Sequence, residues 1–224
     1  MVSFKWRHFQ KDIILTSTRW YLAYSLSYRD IEELMFERGV CIDHSTNNRW
    51  VIKYSSQLEV NFRGNKKRTV GSSWRMDETY IKVKGKWNYL YRAVDKEGQT
   101  IDFMLSKLRD KQAAKAFFYK AIGSNGMPEK VTIDKSGSNK SALDAINKGC
   151  GSDIIIRQDK YLNNIVEQDH RGIKRIIKPM MGFKSFKSAK ATLAGIELHR
   201  MLKKRQHKNS QMTSIFEQFY QLAA

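Results

Sequence analysis

Trp74-Arg75-Met76-Asp77-Glu78-Thr79-Tyr80-Ile81-Lys82-Val83 is the stretch on which the fold turns, because a helical pattern gives way here to strands. Two further strand-like runs, 87–94 and 99–105, follow across the turn-like segments Lys84-Gly85-Lys86 and Asp95-Lys96-Glu97-Gly98. Three strands joined by short Gly-containing turns predict an antiparallel meander. Downstream, 111–122 reads as a helix, Val131-Thr132-Ile133 as a strand, 138–147 as a helix and Ile154-Ile155-Ile156 as a strand. A helix over 163–178, closed by Pro179, and a last helix over 188–205 complete the pattern. The order βββαβαβα predicts an α/β domain built on one mixed five-stranded sheet with helices on both faces.

Upstream of Trp74 the chain reads as helices. Residues 9–24 carry a mixed helical pattern, and Ser27-Tyr28-Arg29-Asp30 makes a capping-box start for a second helix that buries Ile31, Leu34 and Met35 and stops at Gly39. A third helix begins near residues 43–45 and carries Trp50, Val51 and Tyr54. Helix, short Gly-containing turn, helix is the arrangement of a helix-turn-helix, although many helical hairpins share it. The third helix has a polar N-terminal half of His44, Ser45, Thr46, Asn47, Asn48, Arg49 and Lys53, suited to base edges and phosphates or to a solvated face. Residues 61–73 break the periodicity and read as a basic linker.

The chain of 224 residues has 41 Lys+Arg against 22 Asp+Glu, a formal charge of +19, which favours a polyanionic partner. The surplus is uneven: 12 basic and 7 acidic residues in 1–73, 16 and 11 in 74–159, 13 and 3 in 160–208, giving +5, +5 and +10, less Glu217. No apolar run approaches the roughly 20 residues of a membrane-spanning helix, and the N-terminus has no signal-peptide stretch, so a cytoplasmic, nucleoid-associated location is expected. Cys41 and Cys150 form no metal-binding or disulfide pattern and read as reduced, buried thiols.

Against this basic background three acids stand in differently built segments. Asp77 lies inside the first strand, where aspartate is unfavourable. Asp134 ends the fourth, where ligands gather in open α/β sheets, but it could equally open a turn before Lys135-Ser136-Gly137. Glu167 lies on the helix of 163–178. At 100° per residue, Val166, Ile173, Ile176 and Ile177 share a face with Ile165, while Glu167, Arg171, Lys174 and Lys178 form a separate stripe. Pairing of Glu167 with Arg171 accounts for a few tenths of a kcal/mol, but not for every later charge on the stripe being positive. If the fold gathers the three carboxylates, they make the negative point that hard divalent cations and phosphodiester chemistry require. Glu78 neighbours Asp77 but faces the other side of the sheet, which makes it the poorer ligand. Asp95 reads as a turn residue, and Asp102, Asp144 and Asp153 read as solvated. His170 borders the core face, where it could assist or simply pack.

The Asp, Asp and Glu, with 56 and 32 intervening residues and Lys174 seven positions after Glu167, resemble the DDE triad of retroviral-integrase-like transposases. The blocks 74–87, 89–95, 161–171 and 182–186, together with 27–34 and 37–40, are similar to insertion-sequence transposases of the IS6 (IS26-like) family, over 4–205. Asn47 departs from that family's usual apolar residue. The resemblance implies a helix-turn-helix over 1–60 that recognises element ends, a basic linker over 61–73, an RNase H-like catalytic domain over 74–208 and a tail over 209–224. It also implies Asp77, Asp134 and Glu167 as catalytic metal ligands for two Mg2+ ions, with Mn2+ as a substitute. The reaction would be end cleavage and strand transfer on double-stranded DNA, replicative and cointegrate-forming, by a homodimer or larger assembly. A DNA-binding regulator and an RNase H-like nuclease that cuts without joining are the rival expectations.

Overall fold

In the computed structural model, which describes residues 2–4, 8–159, 161–210 and 213–223 and only the backbone at 65 and 66, the chain forms two compact units. Unit 1 comprises Met1–Arg68 with Ile173–Ala224, and unit 2 comprises Thr69–Gly172.

Unit 1 is helical: α1 Lys11–Ala23, α2 Tyr28–Phe36, α3 His44–Asn61, α7 Phe186–Lys203 and α8 Ile215–Gln221. The capping box forms as read, with Asp30 N donating to Ser27 Oγ and Ser27 N donating to Asp30 Oδ2. The chain leaves α2 through Gly39, at φ +73°, a conformation side-chain-bearing residues rarely adopt. Asp43 caps α3 by accepting from Ser45 N. Ile31, Met35, Trp50, Val51 and Tyr54 are buried, whereas Leu34 stays half-buried.

The first three helices are not packed alone, because α1 and α3 both lie against α7. Gly195 marks the closest approach: a Cβ there would stand 2.6 Å from both Leu22 Cδ atoms and 2.7 Å from Ser55 Oγ. The supposed linker is partly folded into this unit. Phe62, at the head of a π-helical turn over Phe62–Lys66, is fully buried, and Arg68 N donates to Gln206 O. The tail is not featureless either, since α8 opens on a capping box between Ser214 and Glu217 and buries Phe219.

Unit 2 holds β1 Ser73–Val83, β2 Lys86–Asp95, β3 Thr100–Ser106, β4 Lys130–Ile133 and β5 Ile155–Gln158, with α4 Lys111–Asn125 and α5 Gly137–Cys150. The sheet order is β3-β2-β1-β4-β5, antiparallel from β3 to β1 and parallel from β1 to β5. A meander followed by two parallel crossovers, with helices between them, is an RNase H-like sheet. Alternation sorts β1: Trp74 and Met76 join Tyr91, Phe117, Phe118 and Leu143 in the core beneath α4 and α5, and Asp77 takes the other face. That other face meets the start of α6, Asn164–Ile177, where Asn163 Nδ2 donates to Met76 O. By residue number α6 begins in unit 2 and ends in unit 1.

Three surface readings change. Asp102 is fully buried, not solvated, and accepts from Lys120 Nζ at 2.6 Å, the side chain of Lys120 reaching from α4 to β3. Asp144 and Asp153 are exposed and Asp95 caps its turn, as read. Cys41 and Cys150 are both exposed thiols, because Cys41 lies in the loop between α2 and α3 and Cys150 is the last residue of α5. Among the described residues, no helix is long and apolar enough to cross a membrane.

Candidate active site

Asp77 sits mid-strand on β1, opposite Arg92 of β2 and two residues beyond the last β1 residue paired with β4, so the ladder with β2 holds the backbone that aims it. Asp134 follows the last residue of β4, and its two readings are compatible: Oδ1 accepts from Ser136 N to form the turn, while the group still faces Asp77. One ligand oxygen from each of Asp77, Glu78 and Asp134 lies within 4.8 Å of the others. Glu78 therefore joins the cluster although its strand position alternates with that of Asp77. Its side chain is only 2% exposed and is bound by Arg109 Nη2 at 3.2 Å. Glu167 lies exposed in the first turn of α6, within electrostatic reach of Asp77.

The electrostatics of the cluster are those of crowded acids. Burial, then the neighbouring charges of Glu78, Asp134 and Glu167, push the Asp77 carboxyl up to about 7, and the hydrogen bond from the Glu78 backbone only partly offsets this. Burial also raises Glu78, against the pull of the nearby Asn139 amide and of Arg109. His170, 3% exposed, places Nδ1 3.6 Å from Asp77 Oδ2. Arg92, completely buried, pairs with Asp169 at 2.6 Å and so anchors the turn of α6 that carries Glu167. Arg109 also reaches Asp134 Oδ2 at 3.4 Å.

Glu78, Arg92 and Arg109 were the site residues that sequence reasoning passed over. Arg92 had a signal, a cation between Tyr91 and Ala93 in an apolar strand. Arg109 had a weaker one, its place directly before Asp110, which caps α4 by accepting from Ala113 N.

On α6, Glu167, Arg171 and Lys174 are exposed and Val166, Ile173 and Ile176 buried; Lys178, also exposed, falls just past the end of α6 in a 3-10 turn, and Ile165 lies outside the apolar face, 36% exposed. On α3, His44, Ser45, Arg49 and Lys53 are exposed and Thr46 and Asn48 half-buried. His44 is held by Glu32 at 3.0 Å and Asp43 at 3.4 Å, and Arg49 donates to Thr46 Oγ1. His44, Ser45, Asn48 and Arg49 line one wall of a groove of about 710 Å³ within unit 1, which Lys184 and Ser185 border on another side. Asn47 faces inward, 1% exposed, and neither atom of its amide has a hydrogen-bond partner among the described residues.

A DDE-domain family profile matches residues 71–206. The chain is 43% identical over 214 residues to the transposase for insertion sequence-like element IS431mec of Staphylococcus aureus strain Mu50, covering 93% of this chain and 92% of the relative. It is 42% identical, over the same shares, to the Staphylococcus aureus transposase for insertion sequence element IS257 in transposon Tn4003. Among solved structures, the catalytic core domain of BIV integrase is 16% identical with a TM-score of 0.45, over 58% of this chain and 84% of that one. With a family match across more than half its length and relatives of this identity along nearly all of it, the chain belongs to the DDE-domain insertion-sequence transposases of the IS6 family.

Proposed function

We propose that Asp77, Asp134 and Glu167 are the carboxylates at which this transposase cuts the ends of its element and joins them to target DNA. The observation that carries the reading is the buried Asp77 carboxyl, raised to about 7 by burial and by surrounding acids in a chain whose net charge is +19. Such a centre is unfavourable in isolation and becomes favourable around a hard cation, since its donors are carboxylate oxygens. The residues present therefore fit Mg2+, with Mn2+ as a substitute, and Asp77, Asp134 and Glu167 would hold two ions. Bound there, the metal supplies Lewis-acid activation of the attacking water or 3′-hydroxyl and neutralises charge on the leaving 3′-oxygen.

The protein's own share is placement. β1 fixes Asp77, the Ser136 amide fixes Asp134, and the buried Arg92–Asp169 pair fixes the turn that presents Glu167. The stripe of Arg171, Lys174 and Lys178 offers cations to backbone phosphates. Ser45, Asn48 and Arg49 at the groove, with Thr46 and Lys53 elsewhere on α3, are the proposed contacts for element-end recognition, with His44 bound to Glu32 until DNA competes for it. The proposed catalytic span is 74–208, with recognition by 1–60. Joining of two ends calls for a dimer or larger assembly on DNA, with a replicative, cointegrate-forming outcome, in a cytoplasmic, nucleoid-associated protein.

The test is strand transfer by the purified chain with Mg2+ and DNA bearing the element's own ends. Asp77→Asn, Asp134→Asn and Glu167→Gln should each abolish joined product while leaving end binding measurable. Undiminished joining in any of the three removes that residue from the centre, and cleavage without joined product from the unsubstituted chain favours a nuclease.

A further inference from the structure

Arg109 has no part in the triad, yet it reaches into the acidic cluster from the loop before α4. Its Nη2 donates to Glu78 Oε2 at 3.2 Å and to Asp134 Oδ2 at 3.4 Å. Both bonds use one terminal nitrogen, so the remaining donors of the guanidinium fork stay available. The side chain is 35% exposed and borders a recess of about 380 Å³ shared with Asp134, Lys135, Ser136, Gly137 and Ser138. Asp110 pins the backbone beside it.

We infer that Arg109 is a catalytic residue that binds a non-bridging oxygen of the DNA phosphate at the acidic centre, and that Glu78 is the positioning residue that aims it. This rests on the reading of Asp77, Asp134 and Glu167 as the reaction centre. A guanidinium matches phosphate oxygens in a paired, planar geometry that a lysine cannot reproduce. Glu78 is too deeply buried, with its side chain 2% exposed, to meet DNA itself, but it holds the guanidinium at the edge of the recess. Asp134 is a contact that Arg109 must share. With Asp134 engaged as a metal ligand, Glu78 would keep its hold on the guanidinium, whose free donors would be left for the phosphate. Proximity to the reacting phosphate separates Arg109 from Arg171 and Lys174, whose place on the exposed stripe of α6 suits them to neighbouring phosphates.

Single-turnover strand transfer at saturating DNA, with Mn2+ binding followed by electron paramagnetic resonance, tests this in the full-length chain. Arg109→Ala and Arg109→Gln should each slow joining by roughly 100- to 1,000-fold, the loss typical of one transition-state donor. Mn2+ binding should be unchanged or tighter, because a competing cation has gone. Arg109→Lys should recover part of the rate. Glu78→Gln should slow joining and retain Mn2+ binding, and Glu78→Asp should restore part of the rate. Joining within threefold of the unsubstituted rate in Arg109→Gln, or loss of Mn2+ binding in step with joining, overturns the proposal. If Asp77→Asn also joins DNA, the reading of the centre fails instead, so the two failures are distinguishable.

Discussion

Replacing Asp77 by Asn should stabilise the metal-free protein, and increasingly so as the pH rises. The folded carboxyl titrates near 7, whereas its ordinary value is 3.8, so through that window the folded state holds a proton the unfolded chain has lost. Stability therefore falls as pH rises from about 4 to 7 and levels off above. An interval of roughly three pH units at 1.36 kcal/mol each amounts to about 4 kcal/mol. With a side chain 17% exposed, little solvent screening reduces it, and the figure is a ceiling. Asn keeps the shape and removes the ionisation. At 2–4 °C per kcal/mol for chains of this length, the gain is at most roughly 8–16 °C at pH 8. Scanning calorimetry in EDTA between pH 4 and 8 should show the two proteins nearly superposed at the acid end and diverging towards pH 7. Adding Mg2+ should then raise the unsubstituted protein and not the variant. A gap that does not change with pH, or a variant less stable at pH 8, refutes the account of Asp77 as a carboxyl crowded by like charge.

Asn47→Leu removes a buried amide with no partner among the described residues and should gain about 1–2 kcal/mol in urea denaturation; a loss would mean the amide is satisfied. Gly195→Ala should lose about 1–3 kcal/mol despite the roughly 1 kcal/mol that alanine brings to a helix, because its Cβ would meet Leu22 and Ser55. A more stable variant there would show the helices able to part. Lys174→Ala should weaken DNA binding and reduce the slope of log affinity against log salt by about 0.9; an unaltered slope counts against a phosphate contact.

The elements were legible wherever periodicity is local. The meander, the two parallel strands and the helices between them follow from runs and turns that each span a few residues. What escaped the sequence depends on packing between distant segments. Asp102 looked solvated because nothing near it in the chain announces Lys120 across the cover of α4. Glu78 was set aside by strand alternation, which assigns a face but not where a flexible three-bond side chain ends; past the last residue of β1 paired with β4, its carboxylate can still meet that of Asp77. The helix α8 was missed although Ser214 and Glu217 stand at capping-box spacing, since the apolar run behind them is barely two turns long. Of the three acids, Asp134 was ambiguous for a good reason: it makes the turn and faces the cluster at once.

The division of the chain also fixes an order of assembly during synthesis. Every segment of unit 2 has been translated once Gly172 is made, so the acidic cluster can form early. The helices α1 to α3 are translated first but have no α7 to close against until Lys203 appears, 142 residues after Asn61. At ordinary ribosomal speeds that is a wait of roughly 7–28 seconds. A copy of the gene with a stop codon between positions 173 and 186 would therefore retain the codons for Asp77, Asp134 and Glu167 while leaving α1 to α3 without the helix they close against.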